Sequence, residues 1–160
     1  MRPGVEVRVT GARQLERLGL ELKAAGETGK GLRRNLLASL RLASQPLKQA
    51  AKDSALAKLP KSGGLNEYVA NSNIAIRTRL VGPRVGVRVV AKKAGGSKGH
   101  DLEKIDQGQV RHRVYGRWVK NLPTQSVEPG WFSDPMKEST HGMEAAALAA
   151  IELTSRELSK

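Results

Sequence analysis

VRHRVYGRWVKNLPTQSVEPGWFSDPMKE, residues 110–138, contains both tryptophans, the only phenylalanine and one of the two tyrosines of a chain that is 3% aromatic. Large aromatic side chains each bury roughly 150–250 Å², so this stretch concentrates much of the chain's apolar packing. Five glycines and prolines punctuate it: Gly116, Pro123, Pro129, Gly130 and Pro135. We therefore predict an ordered aromatic loop over residues 110–132, followed by a helix over residues 134–158.

Length and composition limit the class of protein. The 160 residues are expected to form a single domain over 1–160, because most domains contain about 100–150 residues. The chain has no run of about 18 apolar residues, so no transmembrane helix is predicted. Residues 1–11 lack the apolar core of a secretory signal. Cysteine is absent, which excludes disulfide and thiolate chemistry and favours assembly in a reducing cytoplasm.

The charge of the chain is strongly positive and unevenly distributed. The net charge is +13. Residues 1–132 carry 25 Lys and Arg against 10 Asp and Glu, whereas residues 133–160 carry three against five. A basic body of this kind favours a polyanionic partner, either nucleic acid or acidic neighbouring proteins. Solubilising surface charge is the simpler explanation, and composition leaves both open.

The N-terminal half is predicted to be mainly helical. The sequence VEVRV alternates apolar and polar residues, which predicts a strand over residues 4–10. Apolar residues then recur at intervals of three and four, which predicts a helical half over residues 11–59. We expect the glycine-rich sequence GETGKG, residues 26–31, to be a linker. We also expect Pro46 to kink or break the second helix near Ser44.

A strand pair is predicted over residues 73–92. Apolar and basic residues alternate in both strands, so one face is expected to be aliphatic and the other rich in arginine. A mobile basic loop over residues 93–101 is expected to follow. These elements predict an α+β domain: the N-terminal strand and the strand pair form a small antiparallel sheet that packs with two or three helices, and the C-terminal helix is long.

No catalytic, metal or cofactor site is predicted from the sequence. The chain has three histidines, His100, His112 and His141. They show no metal-ligand spacing, and the glycines and lysines of residues 93–101 lack the G-x-x-x-x-G-K-[ST] pattern of a phosphate-binding loop. The acidic residues between 101 and 106 are interpreted as part of a short helical turn ahead of Gly108. We expect no enzymatic activity and no cofactor.

Basic residues of the strand pair and of the loop after it form a candidate nucleic-acid surface. Cations on one face of a sheet contact phosphates without reading base sequence. These strands have no aromatic residue for base stacking, so base-specific recognition is not expected. Salt bridges to a neighbouring subunit are the alternative role. The candidate basic face, which would line a DNA channel or contact an acidic partner, comprises Arg77, Arg79, Arg84, Arg88, Lys92, Lys93 and Lys98.

Aromatic residues of the stretch quoted above are candidates for a protein interface, because large amphipathic rings are common interface anchors. Closure of the protomer's own core is the competing role. The Pro129-Gly130 turn is expected to present two of the rings together. The candidate interface residues are His112, Tyr115, Trp118, Trp131 and Phe132.

The same stretch resembles a motif of one group of phage proteins. HRVYG at residues 112–116, Trp118-Val119, Gln125 and the sequence PGWF at residues 129–132 precede a helix that starts with proline. This pattern resembles the neck, or head–tail connector, proteins of long-tailed double-stranded DNA phages, particularly phages of actinobacteria. They are often labelled minor tail or tail-completion proteins. Arg113 stands where that family usually has proline.

The resemblance implies an α+β protomer that assembles as a hexameric ring in the virion of a siphophage, after synthesis in the host bacterial cytoplasm. It implies a structural role without enzymatic activity at the head–tail interface. The partners would be the stopper or adaptor ring, the tail terminator and the portal complex, with passing contact to genomic double-stranded DNA and no membrane. The alternative hypothesis is a basic nucleic-acid-binding module that contacts the phosphate backbone without reading sequence.

Overall fold

The computed structural model describes residues 6–9, 12–82, 85–92, 100–111 and 123–160. The chain divides into two compact units, each assembled from three stretches. The first unit comprises Met1–Glu6, Gln49–Ala75 and Val90–Lys137, and the second comprises Val7–Lys48, Ile76–Val89 and Glu138–Lys160. The expectation of a single domain stays a prediction.

Two helices make up most of the N-terminal half. The first, α1, spans Ala12–Ala24, and the second, α2, spans Gly26–Lys58. Both form because leucine recurs at helical spacing, which gives each helix one apolar stripe. The buried leucines of these stripes are Leu15, Leu18, Leu22, Leu36, Leu40 and Leu47. The predicted helical half is therefore present.

The expected linker over residues 26–31 is wrong, because these residues form the first turns of α2. Gly26 has a φ of +60°, the left-handed conformation in which many helices end, so the chain turns sharply between α1 and α2. Gly29 then approaches α1 so closely that a Cβ there would overlap the carbonyl oxygen of Leu22. These two glycines serve a tight turn and a close helix contact rather than a flexible connection.

A kink or a break is predicted near Ser44, and helix α2 continues through Pro46 without a break. Proline removes one backbone donor from a helix interior, which costs about 3 kcal/mol. Pro46 itself is exposed, whereas Ser44 is buried and donates its hydroxyl to the Leu40 carbonyl oxygen at 2.6 Å. Leu40 and Leu47 are buried on either side of the proline, and their burial stabilises the helical path through it.

Three strands form the larger sheet, in the order β1-β3-β2. Strand β1 spans Glu6–Val9, β2 spans Asn73–Arg79 and β3 spans Gly86–Lys92. The N-terminal strand and the strand pair thus share one sheet, as the sequence predicts. Because β3 is the central strand, all of its residues except Lys92 are buried.

Arg88 does not lie on an exposed basic face, because it belongs to this central strand and exposes only 8% of its surface. Alternation of apolar and polar residues predicts one open face only when that side of the sheet is uncovered. Here successive residues of β3, which point to opposite faces, are all buried. The prediction is wrong for Arg88, whereas Arg77 and Arg79 of the edge strand β2 are exposed.

The first unit also contains several short elements. A 3₁₀ turn at Ser62–Gly64 leads into helix α3, Leu65–Ala70, which the sequence did not indicate. Helix α4, Leu102–Asp106, is the helical turn predicted ahead of Gly108. Strands β4, Gln109–Arg111, and β5, Thr124–Ser126, pair antiparallel. A small ribbon therefore lies within a stretch that was expected to be a loop.

The C-terminal helix, α5, spans Ser133–Leu158, one residue longer at its start than predicted. Together with the two small sheets it confirms the α+β class, although about two-thirds of the described residues are helical. Met143, Ala147 and Ile151 of α5 are buried at helical spacing. No helix in the described part of the chain is long and apolar enough to cross a membrane.

Gly29→Ala and Gly31→Ala form a matched pair within the first turns of α2. A Cβ at Gly29 would overlap the Leu22 carbonyl oxygen, whereas one at Gly31 meets no atom within 4 Å. We expect Gly29→Ala to lower the free energy of unfolding by about 1–3 kcal/mol, as overpacking does. Gly31→Ala should raise it by up to about 1 kcal/mol, because alanine favours helix. Urea unfolding measures both changes, and equal effects would contradict the close approach of α2 to α1.

Candidate functional site

The structure describes only two of the predicted interface residues. Trp131 and Phe132 lie in the first unit, and both are 0% exposed. His112, Tyr115 and Trp118 lie outside the described residues. The assignment of Trp131 and Phe132 as surface anchors is therefore wrong, because full burial of each ring stabilises the chain's own core.

The Trp131–Phe132 pair packs at the start of α5. The ring centroids lie 5.4 Å apart and the ring planes are inclined by 59°, a separation typical of stabilising aromatic pairs. The indole N–H of Trp131 donates to the carbonyl oxygen of Leu102 in α4 at 3.5 Å. Leu102 and Met136 are also buried in this unit. The rings therefore connect α4 to the beginning of α5.

Asp106, the last residue of α4, caps the start of α5. Its Oδ1 accepts hydrogen bonds from the backbone N–H groups of Phe132 at 2.8 Å and Ser133 at 3.1 Å. Its backbone carbonyl accepts a third, from the N–H of Gly130 at 2.8 Å. The first N–H groups of a helix have no partner within that helix. Asp106 thus serves as an N-cap supplied from a different helix, and its negative charge also favours the helix N-terminus.

A second link joins the last turn of α2 to the first turn of α5. The ammonium of Lys58 contacts the carboxylate of Asp134 at 2.6 Å and the carbonyl oxygen of Gly130 at 3.5 Å. Gly130 has a φ of +80°, and a Cβ there would overlap the Asp134 carboxylate. The hydrogen bond from Lys58 lowers the pKa of Asp134 below its ordinary value, although desolvation opposes that shift.

The first unit also contains a cleft with a volume of about 370 Å³. Its walls include the Gly63-Gly64 turn, Tyr68, His100 and Gln125. The Tyr68 hydroxyl accepts a hydrogen bond from the backbone N–H of His100 at 3.2 Å, and the two rings meet edge to face at 5.2 Å. The described residues that line the cleft include no carboxylate or ammonium group.

The ribbon of β4 and β5 leaves one strand open to solvent. Its cross-strand pairs are Gln109 with Ser126, Val110 with Gln125 and Arg111 with Thr124. All three residues of β5 are exposed. The N–H of Val127 donates to the Gly108 carbonyl at 2.9 Å, and hydrogen-bonded pairs alternate with non-bonded pairs along such a ribbon. The backbone groups of Gln125 therefore face β4, and those of Thr124 and Ser126 face away from it.

The predicted basic face is only partly present as one exposed surface. Arg77, Arg79 and Lys92 are exposed, whereas Arg88 is buried. The remaining predicted members, Arg84, Lys93 and Lys98, lie outside the described residues. The exposed cations of helix α2 were not part of the prediction, although their spacing in the sequence indicates a shared helix face.

Sequence reasoning also missed Lys58 and Asp106 as residues that position α5. Lys58 is 76 residues from Asp134, and Asp106 is 26 residues from Phe132. Local spacing carries no signal for pairs this far apart in the chain. Asp134 entered the prediction only as the first residue of the C-terminal helix.

Comparison with known proteins assigns no chemistry to this chain. Protein-family models, curated proteins and solved structures yield no match. Within the described ranges, no group of three His, Asp and Glu side chains is arranged to hold a metal ion. The function must therefore be inferred from the chain's own residues.

Asp106→Ala and Asp106→Asn test the cap on α5. Alanine removes the acceptor of two backbone N–H groups at once, so we expect the free energy of unfolding to fall by about 1–3 kcal/mol. Asparagine retains one acceptor oxygen without the charge and should cost less than half as much. Urea unfolding of the two variants measures the difference. Equal losses would contradict a role for Oδ1 as a hydrogen-bond acceptor.

Asp134→Asn tests the ion pair through its pH dependence. Because the folded-state pKa of Asp134 is lowered, the ionised carboxylate stabilises the fold above its unfolded pKa, about 3.9. That contribution is lost as the pH falls through the folded-state pKa. We expect the native chain to be more stable than Asp134→Asn at neutral pH, and the difference to shrink as the pH falls through the folded-state pKa and to vanish in stronger acid. Lys58→Gln should converge with the native chain in the same range, and a difference that persists in acid would contradict the pairing.

Proposed function

We propose that this chain is a structural protein of the phage neck. Its copies form a hexameric ring that joins the portal, adaptor or stopper complex to the tail terminator and helps to complete the head–tail joint. The chain would act in the virion without enzymatic activity. Two lines support the proposal: the resemblance of residues 112–138 to the neck-protein motif, and the geometry of the described part of that motif.

The observation that carries the proposal is the division of the motif into a buried part and an exposed part. Trp131 and Phe132 are fully buried at the start of α5, where Asp106 and Lys58 hold the backbone in place. Strand β5, which contains the motif residue Gln125, is exposed along its whole length. A buried anchor that fixes the position of an open strand suits a protein that docks onto its neighbours.

Within the described residues, β5 pairs only with β4, so its other edge offers backbone hydrogen bonds to another chain. The outward-facing groups are those of Thr124 and Ser126, as the register with β4 requires. Exposed strand edges readily accept a further strand, which supplies main-chain hydrogen bonds across the interface. In the proposed ring, a neighbouring subunit or an adjoining neck protein supplies that strand.

The charge of the chain is compatible with this location. A net charge of +13 suits acidic neighbouring proteins or the double-stranded DNA that passes through a neck. Arg77 and Arg79 remain available for such contacts, because both are exposed on β2.

Ser126→Pro and Ser126→Val test docking through β5. Proline removes the outward N–H without removing a hydrogen bond between β4 and β5, whereas valine keeps the N–H and favours a strand. We expect Ser126→Pro to fold normally but to enter phage particles at less than about a tenth of the native level, a loss equivalent to about 1.4 kcal/mol of assembly free energy or more. Ser126→Val should enter normally. Mass spectrometry of purified particles measures incorporation, and light scattering measures ring formation with the neck partners.

Two outcomes would count against the proposal at different levels. Absence of the native chain from purified particles and from any complex with neck proteins would overturn the neck assignment itself. Normal incorporation of Ser126→Pro would overturn β5 as the docking edge and leave the assignment to the neck intact. A low-resolution image of the particle that locates the chain would decide the first of these directly.

A further inference from the structure

We propose that one face of helix α2, defined by Arg34, Arg41 and Lys48 and called here the α2 cationic face, binds the phosphate backbone of duplex DNA without reading its sequence. This inference goes beyond the proposed function, because it assigns DNA contact to a particular helix surface. It can also fail independently of the assignment to the neck.

Spacing places the three cations in one row. They lie seven residues apart, and a seven-residue interval drifts only about 20° around an α-helix. The rise of about 1.5 Å per residue puts them about 10.5 Å apart along the axis. All three belong to the stretch Val7–Lys48 of the second unit, and α2 is helical throughout this region. The helix therefore presents a row of positive charge about 21 Å long.

The cations of this row are not neutralised by the protein. Arg34 and Arg41 are exposed and Lys48 is half-buried. In the parts of the chain that the structure describes, none of the three takes part in an ion pair or a side-chain hydrogen bond. The two carboxylates of α2 are occupied elsewhere: Glu27 pairs with Lys30, and Asp53 accepts a hydrogen bond from Gln49.

A duplex phosphate backbone fits this row better than an acidic protein surface does. Protein interfaces are built around an apolar core, whereas this row consists of cations alone. The strongly exposed leucine of this part of α2, Leu42, is turned about 100° around the helix from Arg41. Duplex DNA presents one negative charge per about 1.7 Å of its axis, so a rigid row of cations finds phosphates in any register. That match needs no base contact.

The strand pair is the competing cationic surface, because the sequence placed the basic face there. With Arg88 buried, its exposed and described members are Arg77, Arg79 and Lys92. They provide a matched control with the same number of charges. The two surfaces can therefore be compared at equal net charge.

The test compares Arg34→Gln/Arg41→Gln/Lys48→Gln with Arg77→Gln/Arg79→Gln/Lys92→Gln in the full chain. Fluorescence anisotropy of a labelled 30-base-pair duplex, about 100 Å long at the usual rise, gives the binding constant over a series of salt concentrations. The slope of log K against log salt is negative, and each lost phosphate contact reduces its magnitude by about 0.9. We expect the α2 triple variant to lose about 2–3 from the slope and at least about tenfold in affinity at low salt. In the strand triple variant, the magnitude of the slope should fall by less than about 1.

Several outcomes would overturn the inference. Equal losses in the two variants would mean that only net charge matters, and a larger loss in the strand variant would place the DNA surface on the sheet. Unchanged DNA binding by the α2 variant, with reduced binding to poly-glutamate, would indicate an acidic protein partner instead. Circular dichroism of each variant must match that of the native chain, and two duplexes of unrelated sequence must bind equally. The native chain's presence in phage particles is measured separately, so failure here leaves the neck proposal standing.

Discussion

The carboxylate of Asp106 fixes the point at which the C-terminal helix begins. It accepts two backbone N–H groups at the start of α5, and its own carbonyl accepts the N–H of Gly130. The Trp131 and Phe132 rings are fully buried at this same point. Rings of this size bury completely only if the backbone carries them to one defined place. Capping and aromatic packing therefore depend on each other, and both precede the 26 residues of α5.

The aromatic motif performs two tasks that its sequence does not separate. Its second half, from Pro129 to Phe132, is structural, because a left-handed glycine and two buried rings set the direction of the chain. Its first half includes β5, whose side chains are exposed. A substitution in the second half would act through folding, whereas one in β5 would leave the buried rings unchanged. The motif therefore links the stability of the protomer to the position of an exposed strand.

Elements with a strict hydrophobic period were predictable from the sequence. The leucine spacing of α1 and α2, the alternation in β2 and the proline-started α5 each follow from local geometry, and the structure contains all of them. The predictions from sequence were wrong where tertiary structure decides the role of a residue. Glycines such as Gly29 mark flexibility or close packing, and only the neighbouring helix distinguishes the two. The alternation of apolar and polar residues around Arg88 would look the same in a central strand and in an edge strand. The order of the strands decides whether Arg88 is buried.

The candidate site was predictable only in part for a related reason. Composition identified the aromatic stretch as important, but ring size alone does not tell whether a ring faces the core or a partner. Trp131 and Phe132 were placed on the wrong side of that choice. Lys58 and Asp106 carry no local signal, because each acts on residues distant in sequence. By contrast, the seven-residue spacing of the cations on α2 is visible in the sequence, although the predicted basic face lay on the strands.

An unpaired strand edge also has a drawback for the free subunit, since such edges invite indiscriminate self-association and fibril growth. This ribbon limits that hazard by its size and its polarity. Strand β5 has only three residues, all of them polar and exposed, so its edge offers few hydrogen bonds and no apolar surface to an added strand. A short polar edge of this kind therefore makes indiscriminate self-association weaker than a long apolar edge would.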